Sequence, residues 1–569
     1  MMIIKSKIKI HEPLIILFVF LIALLTRFIR LGSTLFTFGE MDLSWQALQV
    51  ARGEPIETGS QIAYIGLTSL GFYLTQANAF MARFWPALIG SLFALVPLLW
   101  KEKLGLKVAL PLALLLAIDP LQIASSRIIN SPLIGMAGLV AGLSFLKIKK
   151  PALAGIALAI GLLGGLSFWL GLLPMLIALF LLKVVMQGEK LNNEENGLNS
   201  GGSTPQKPWW SIIPWFLGTI LMIGSCFFLE PSGLGSTFGG LVSFFQRFSI
   251  SSGVKTWQIL LALLTYGFIP LVIGILAGIK AFLKKEHLGI FLLLWSVLSL
   301  LTMLIQPGRQ LLDLIWAILP LWVLTARFVS SNFELPVNGL GVRVAVMLFS
   351  IVILGFVLIN IRSISETDFG QVGMINHLIA IAAGVILLII SILLVGFGWQ
   401  FEYALSGLFF GLTIFTIITT LALSLPGIMG RSGNKADLWQ TDAISSNGDV
   451  IVDIITEVSD RMVGEPFEVE VAVAGNGVLI HRWTLRDFRN INYYNNLPGK
   501  LMPGFILTNQ DLSSKASSTY RGNEYLVVKQ PSWENFRLKE IVSWMITRNV
   551  TYEQRNVFLW VKTDLLISN

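Results

Sequence analysis

Apolar residues fall in long unbroken runs as far as about Leu425, and in short alternating runs after it. "PLIILFVFLIALL" (13–25) and "ALPLALLLAI" (109–118) are typical of the first kind. A helix needs roughly 20 mostly apolar residues to cross the hydrocarbon core of a bilayer. Runs this long and frequent predict a polytopic α-helical membrane protein. Clusters of lysine and arginine punctuate them: Lys5, Lys7 and Lys9, "KEKLGLK" (101–107), "KIKK" (147–150), "KAFLKKEH" (280–287), and the stretch from Arg327 to Arg343. Cytoplasmic loops collect such residues. Two spans fit between most neighbouring clusters, giving about 13 transmembrane helices, the first near 14–32 and the last near 404–425. The N-terminus is then cytoplasmic and the C-terminus extracytoplasmic. No small-residue cleavage site follows the first run, which reads as a retained span.

Three outer segments stand out on this count: a first outer loop (31–81), the Gly- and Ser-rich "EPSGLGSTFGGLVSFFQRFSISSGVKT" (230–256), and everything from 426 to 569. In the first, "DLSWQALQVARG" places Leu43, Ala47, Leu48 and Ala51 at helical spacing, and Gly53 ends the run. This predicts an interfacial helix with Glu40 at its N-terminal end, where the helix dipole favours a carboxylate. In the tail, "DVIVDIITEVSDRMV" and "ENFRLKEIVSWMITR" have helical periodicity. "FEVEVAV", "GFILTN", "EYLVVKQ" and "NVFLWVK" read as strands. The expectation is a transmembrane domain (1–425) followed by an extracytoplasmic α/β domain (426–569). Asn192 to Thr204 reads as a flexible linker. No internal repeat is visible, which counts against transporters built from two related halves.

Composition narrows the chemistry. Of 569 residues 54% are hydrophobic and only 13% charged, against about 25% charged in soluble domains. The net charge of +8 sits mainly between spans, so it sets topology and calls for no nucleic acid. The single cysteine, Cys226, permits no internal disulfide, and the four histidines are scattered, so there is no zinc signature. No Gly-rich nucleotide-binding loop is present. Polar groups cluster at outer span ends, with few in mid-span, where a flippase would place them.

The residues "FTFGEMDLSWQALQVARGE", "ARFWPALIGSLFALVPLL", "LALLLAIDPLQIASSRIINSPLIGMAGL" and "LLLWSVLSLLTMLIQPGRQLLDLIWAILPLWVLTA" together resemble the GT-C superfamily of membrane glycosyltransferases. That group contains the protein O-mannosyltransferases and the aminoarabinose transferase of lipid A. "HRWTLRDFRNINYY" and "NVFLWVKTDLL" are similar to an archaeal and Chloroflexi-type branch described as mannosyltransferase-like or flippase-associated. The resemblance implies transfer of a sugar from a polyprenyl-phosphate donor to a glycan, lipid or protein acceptor at the outer face, by an inverting mechanism. It implies Glu40 and Asp42 as catalytic carboxylates, and Arg83, Arg127, Asn130 and Arg309 as substrate-binding residues. Arginine suits phosphate because its planar fork donates two hydrogen bonds. No cofactor is called for; a divalent metal on Glu40 and Asp42 would have a weak ligand set. Two departures matter. Gly39 stands where the family keeps its first acid and Asn130 where it keeps a second, with Asp42 or Asp119 as substitutes. A catalytically silent protein that binds lipid-linked sugar, or a flippase accessory subunit, therefore remains the alternative. "WTLRDF" offers Arg486 and Asp487 either to a ligand or to each other.

Overall fold

A computed structural model describes residues 2–56, 61–190, 209–332, 339–366, 372–429, 435–440, 444–445, 447–475, 482–495, 503–509, 519–533, 536 and 538–567. The linker expected at Asn192 to Thr204 lies outside them. Every one of the thirteen apolar segments is helical, starting with α1 (Met2–Phe28). The long first loop carries α2 (Phe38–Arg52) and α3 (Ile62–Leu74). Then come α4 (Ala79–Phe93), α5 (Lys101–Leu104), α6 (Leu106–Ile118), α7 (Pro120–Arg127), α8 (Leu133–Lys147), α9 (Pro151–Leu163), α10 (Leu166–Lys190) and α11 (Ile213–Gly224). The second long loop holds α12 (Ser236–Gln246). It leads to α13 (Thr256–Tyr266), α14 (Phe268–Leu283), α15 (His287–Ile305) and α16 (Ile315–Asn332). The last three membrane helices are α17 (Leu340–Glu366), α18 (Val372–Gly398) and α19 (Phe401–Met429).

The expected count of about 13 spans is corrected here. Among the described residues seven helices are long and apolar enough to cross a membrane, or up to nine if each bent pair is one span. The pairs are α6–α7, bent by 55°, and α13–α14, bent by 86°. Hydropathy sees apolar length but not these breaks, nor that α8 and α9 are too short to span alone. Asp119 makes the first break: it caps α7, accepting from the Gln122 N–H at 2.9 Å and from Trp322 Nε1 at 3.1 Å. Arg27 covers the other side, donating to the carbonyls of Leu116 and Ala117 that end α6. The opposed ends of the two half-helices thus face groups of complementary charge.

Small residues let helices approach closely, as membrane packing requires. A Cβ on Gly138 would lie 2.3 Å from Gly161 Cα, so α8 and α9 touch backbone to backbone. The central core runs from Leu112, Leu116 and Ala117 through Trp316 and Trp322 to Ala436, Leu438 and Trp544 of the tail. Tail and membrane helices therefore share one core, fastened where Tyr266, at the α13–α14 break, donates to Asp437 Oδ1 at 2.8 Å.

The tail contains α20 (Gly448–Val463), a helix at Leu538–Thr547, and a six-stranded mixed sheet. Its strands are β1 (Ile444–Ser445), β2 (Val471–Ala474), β3 (Ile491–Tyr494), β4 (Phe505–Thr508), β5 (Tyr520–Pro531) and β6 (Tyr552–Lys562), in the order β1-β5-β6-β4-β2-β3. β2 pairs in parallel with both β3 and β4; the other pairs are antiparallel. α20 lays Ile451 and Ile455 on Val471, Val473, Phe505 and Leu507. The α/β character expected from sequence is present; β3, in "NINYY", was not anticipated.

Candidate functional site

Helix α2 forms as its sequence dictates. Thr37 and Glu40 make a reciprocal capping box, and Gly53 closes the helix in the left-handed conformation (φ 73°). The box fixes the Glu40 carboxylate, which is 1% exposed. Arg83 of α4 grips it in a bidentate ion pair, Nε to Oε1 at 2.9 Å and Nη2 to Oε2 at 2.8 Å. Backbone N–H groups complete it: Thr37 to Oε2 at 3.1 Å and Ile129 to Oε1 at 3.3 Å. Arg83 spends its remaining N–H groups on the carbonyls of Leu31, Thr34 and Leu35. Asp42, two residues further along the helix, is exposed and accepts from Gln46 at 2.9 Å.

The other two arginines have similar work. Arg127 donates to the carbonyls of Arg27 (2.7 Å), Ile29 (2.9 Å) and Arg30 (3.3 Å), the orphan acceptors where α1 ends. Arg309 donates to the Gln306 carbonyl at 2.6 Å and to the Thr256 hydroxyl. The structure brings Glu40 and Arg83 into one pair. Arg127 and Arg309 each bind a different stretch of backbone. Neither of the Glu40 and Asp42 carboxylates is poised for a metal, since Arg83, Gln46 and backbone N–H groups hold them. Among the described residues no three His, Cys, Asp or Glu side chains gather as a metal set.

A polar cavity of about 200 Å³ lies between the two long loops, the α7–α8 and α9–α10 turns and the turn before α16. Of the residues singled out in the sequence, Asn130 is in its wall, one residue from the Ile129 amide that binds Glu40. Asn130 accepts from Gln61 Nε2 at 2.7 Å. Facing them are Arg247, Gln310 and Asp313, which the sequence reading missed. Asp313 sits in a 3-10 turn (Leu311–Leu314) and accepts from the Gln310 N–H at 3.1 Å. Arg247 Nη1 meets the same oxygen, Oδ2, at 2.5 Å. A Cβ on Gly308 would lie 2.8 Å from the Ile250 carbonyl and 3.0 Å from Arg247 Cα, so only glycine admits the Arg247 turn. The one available signal was "QPGRQLLD" beside "FFQRFS": a Gly-Arg turn and an acid at a span end, matched to an arginine in a polar loop.

The tail closes over the first loop. Trp483 stacks on Phe72 at 5.6 Å and meets Phe36 edge-on. Arg52 donates to the Arg486 carbonyl at 2.8 Å, and Arg486 to the Ala77 carbonyl at 3.1 Å. Arg486 also lies over the Trp483 ring, with Asp487 Oδ2 3.7 Å away. Arg486 thus joins the docking contact, and Asp487 lies beside it.

Among the solved structures that share this architecture are two of one protein. ArnT from Cupriavidus metallidurans bound to undecaprenyl phosphate aligns with a TM-score of 0.52 at 11% identity, covering 98% of this chain and 98% of that one. The apo state of the same protein aligns with 0.52 at 12% identity, covering 99% of each. No family model and no curated protein matches the chain by sequence. The fold is therefore that of ArnT, a multi-pass bundle of apolar helices with a C-terminal domain containing a β-sheet.

Proposed function

We propose that the protein transfers a sugar from a polyprenyl-phosphate donor to an acceptor hydroxyl in the polar cavity at the outer membrane face. The observation that carries this reading is the cavity itself: a guanidinium, a carboxylate, amide groups and hydroxyls enclosed together, in a fold shared with a protein that was crystallised with undecaprenyl phosphate. When the glycosidic bond breaks, negative charge grows on the departing phosphate. A fixed cation there lowers the barrier more than any other single group, and losing one preorganised hydrogen-bond partner typically costs about 10²–10³ in rate. Arg247 suits that place. Only Nη1 is bound to Asp313, and Nε and Nη2 have no partner among the described residues. Gln61, Asn130, Ser131 and Ser167 offer the amides and hydroxyls a sugar needs. Arg83 and Arg127 serve the scaffold: they hold residues 26–35 by their carbonyls and keep the start of the first loop on the bundle.

The second reading, binding without transfer, is favoured by Gly39 and by the full engagement of Glu40. Purified protein in liposomes, given radiolabelled polyprenyl-phosphate hexose and a membrane extract, separates the two. Label leaving the donor for an acceptor supports the transferase. Donor retained on the protein with no product supports silent binding.

A further inference from the structure

We infer that Asp313 is the carboxylate that takes the acceptor's proton, in place of the acid missing at Gly39. The inference rests on the transferase reading above and concerns the same cavity. A base needs an open lone pair aimed at the space where the hydroxyl sits. Four buried or nearby carboxylates can be compared on that requirement. Both Glu40 oxygens are filled, by Arg83 and by the amides of Thr37 and Ile129. Asp119 has no exposure, and its two oxygens accept from Gln122 and Trp322. Asp42 is exposed and tied to Gln46 along its own helix. Asp313 alone of the four is in the cavity wall. Arg247 and the Gln310 amide share its Oδ2, while Oδ1 has no partner among the described residues.

The arrangement suits a displacement. The acceptor oxygen forms a bond to the anomeric carbon as the bond from that carbon to the phosphate oxygen breaks. The phosphate leaves with the bonding electron pair, and the hydroxyl proton passes to Asp313 Oδ1. Arg247 stands between the two functions: Nη1 holds the carboxylate in place, and the rest of the guanidinium is free for the leaving phosphate. Backbone fixes the carboxylate on its other side, because Gln310 and Asp313 form a capping pair at the entry to α16.

The test uses the full chain in liposomes and compares wild type, Asp313→Asn, Asp313→Glu and Glu40→Gln. Transfer of radiolabelled hexose is read beside binding of undecaprenyl phosphate and the melting temperature. Asp313→Asn should slow transfer by about 10²–10⁴-fold and bind undecaprenyl phosphate at least as tightly as wild type, since Arg247 is released. Asp313→Glu should recover part of the rate. Glu40→Gln should melt earlier and lose far less of its rate per folded molecule than Asp313→Asn. Asp313→Asn transferring at the wild-type rate would overturn the assignment alone, as would a folded Glu40→Gln that binds but does not transfer. If folded Asp313→Asn and Asp313→Glu both lose binding with rate, Asp313 only positions Arg247 and the assignment again fails. A wild-type protein that binds undecaprenyl phosphate but transfers nothing overturns the assignment together with the transferase reading.

Discussion

Glu40 shows how one residue can satisfy two readings from sequence and be separated by its neighbours. A carboxylate at a helix N-terminus on an outer loop fits a base and fits a cap. With Arg83 2% exposed and Glu40 1% exposed, the pair is buried on both sides. Removing one member strands the other charge, which typically costs about 3–5 kcal/mol. Glu40→Gln should therefore lower the thermal unfolding midpoint in detergent, and Glu40→Gln combined with Arg83→Met should recover part of the loss. Tyr493 of β3 tests the opposite case. Its hydroxyl is buried without a partner among the described residues, and Arg482 lies over its ring. Burial pushes its pKa up to about 12 from the usual 10. The folded state thus holds the neutral form longer than the unfolded state does. Stability from this group is intact below pH 10 and is lost as pH rises from 10 to about 12. Tyr493→Phe removes an unpaired polar group, so it should stabilise the tail by about 1 kcal/mol and flatten the alkaline part of its stability profile, measured by tryptophan fluorescence.

At the scale of elements, legibility followed periodicity. Helix α2 was readable because Leu43, Ala47 and Leu48 mark one face and Gly53 a stop; all three are buried. Helix α3 was not, because "IAYIGLTSLGFYL" is apolar all round and gives no face to read. The broken spans were hidden for a related reason: a bend needs partners, such as Trp322 for Asp119, that lie far along the chain. The turn carrying Arg309 makes its own prediction. Gly308 lies against the backbone of Arg247 and Ile250, and a methyl group there would push them away. Gly308→Ala should weaken undecaprenyl phosphate binding and transfer through Arg247, while Gly239→Ala, which meets open space on α12, should change neither. Binding and transfer assays on the two variants check this.

For the molecule as a whole, the placement of lysines predicts a cytoplasmic N-terminus and a tail on the outer face. A reporter active only in the cytoplasm, fused after Asn569, should be silent; an active one would reverse the topology. The sequence by itself determined what depends on amounts and periodicity: membrane insertion from apolar length, and the change to an α/β tail from alternation. Only the tertiary structure decided which charges belong together. Glu40 and Arg83 are 43 positions apart, Arg247 and Asp313 are 66 apart, and nothing in either local pattern says which pair is closed and which keeps an open oxygen. Local periodicity reports how a residue faces its own helix. Whether a buried charge is saturated depends on donors brought in by other elements, and those are fixed by packing.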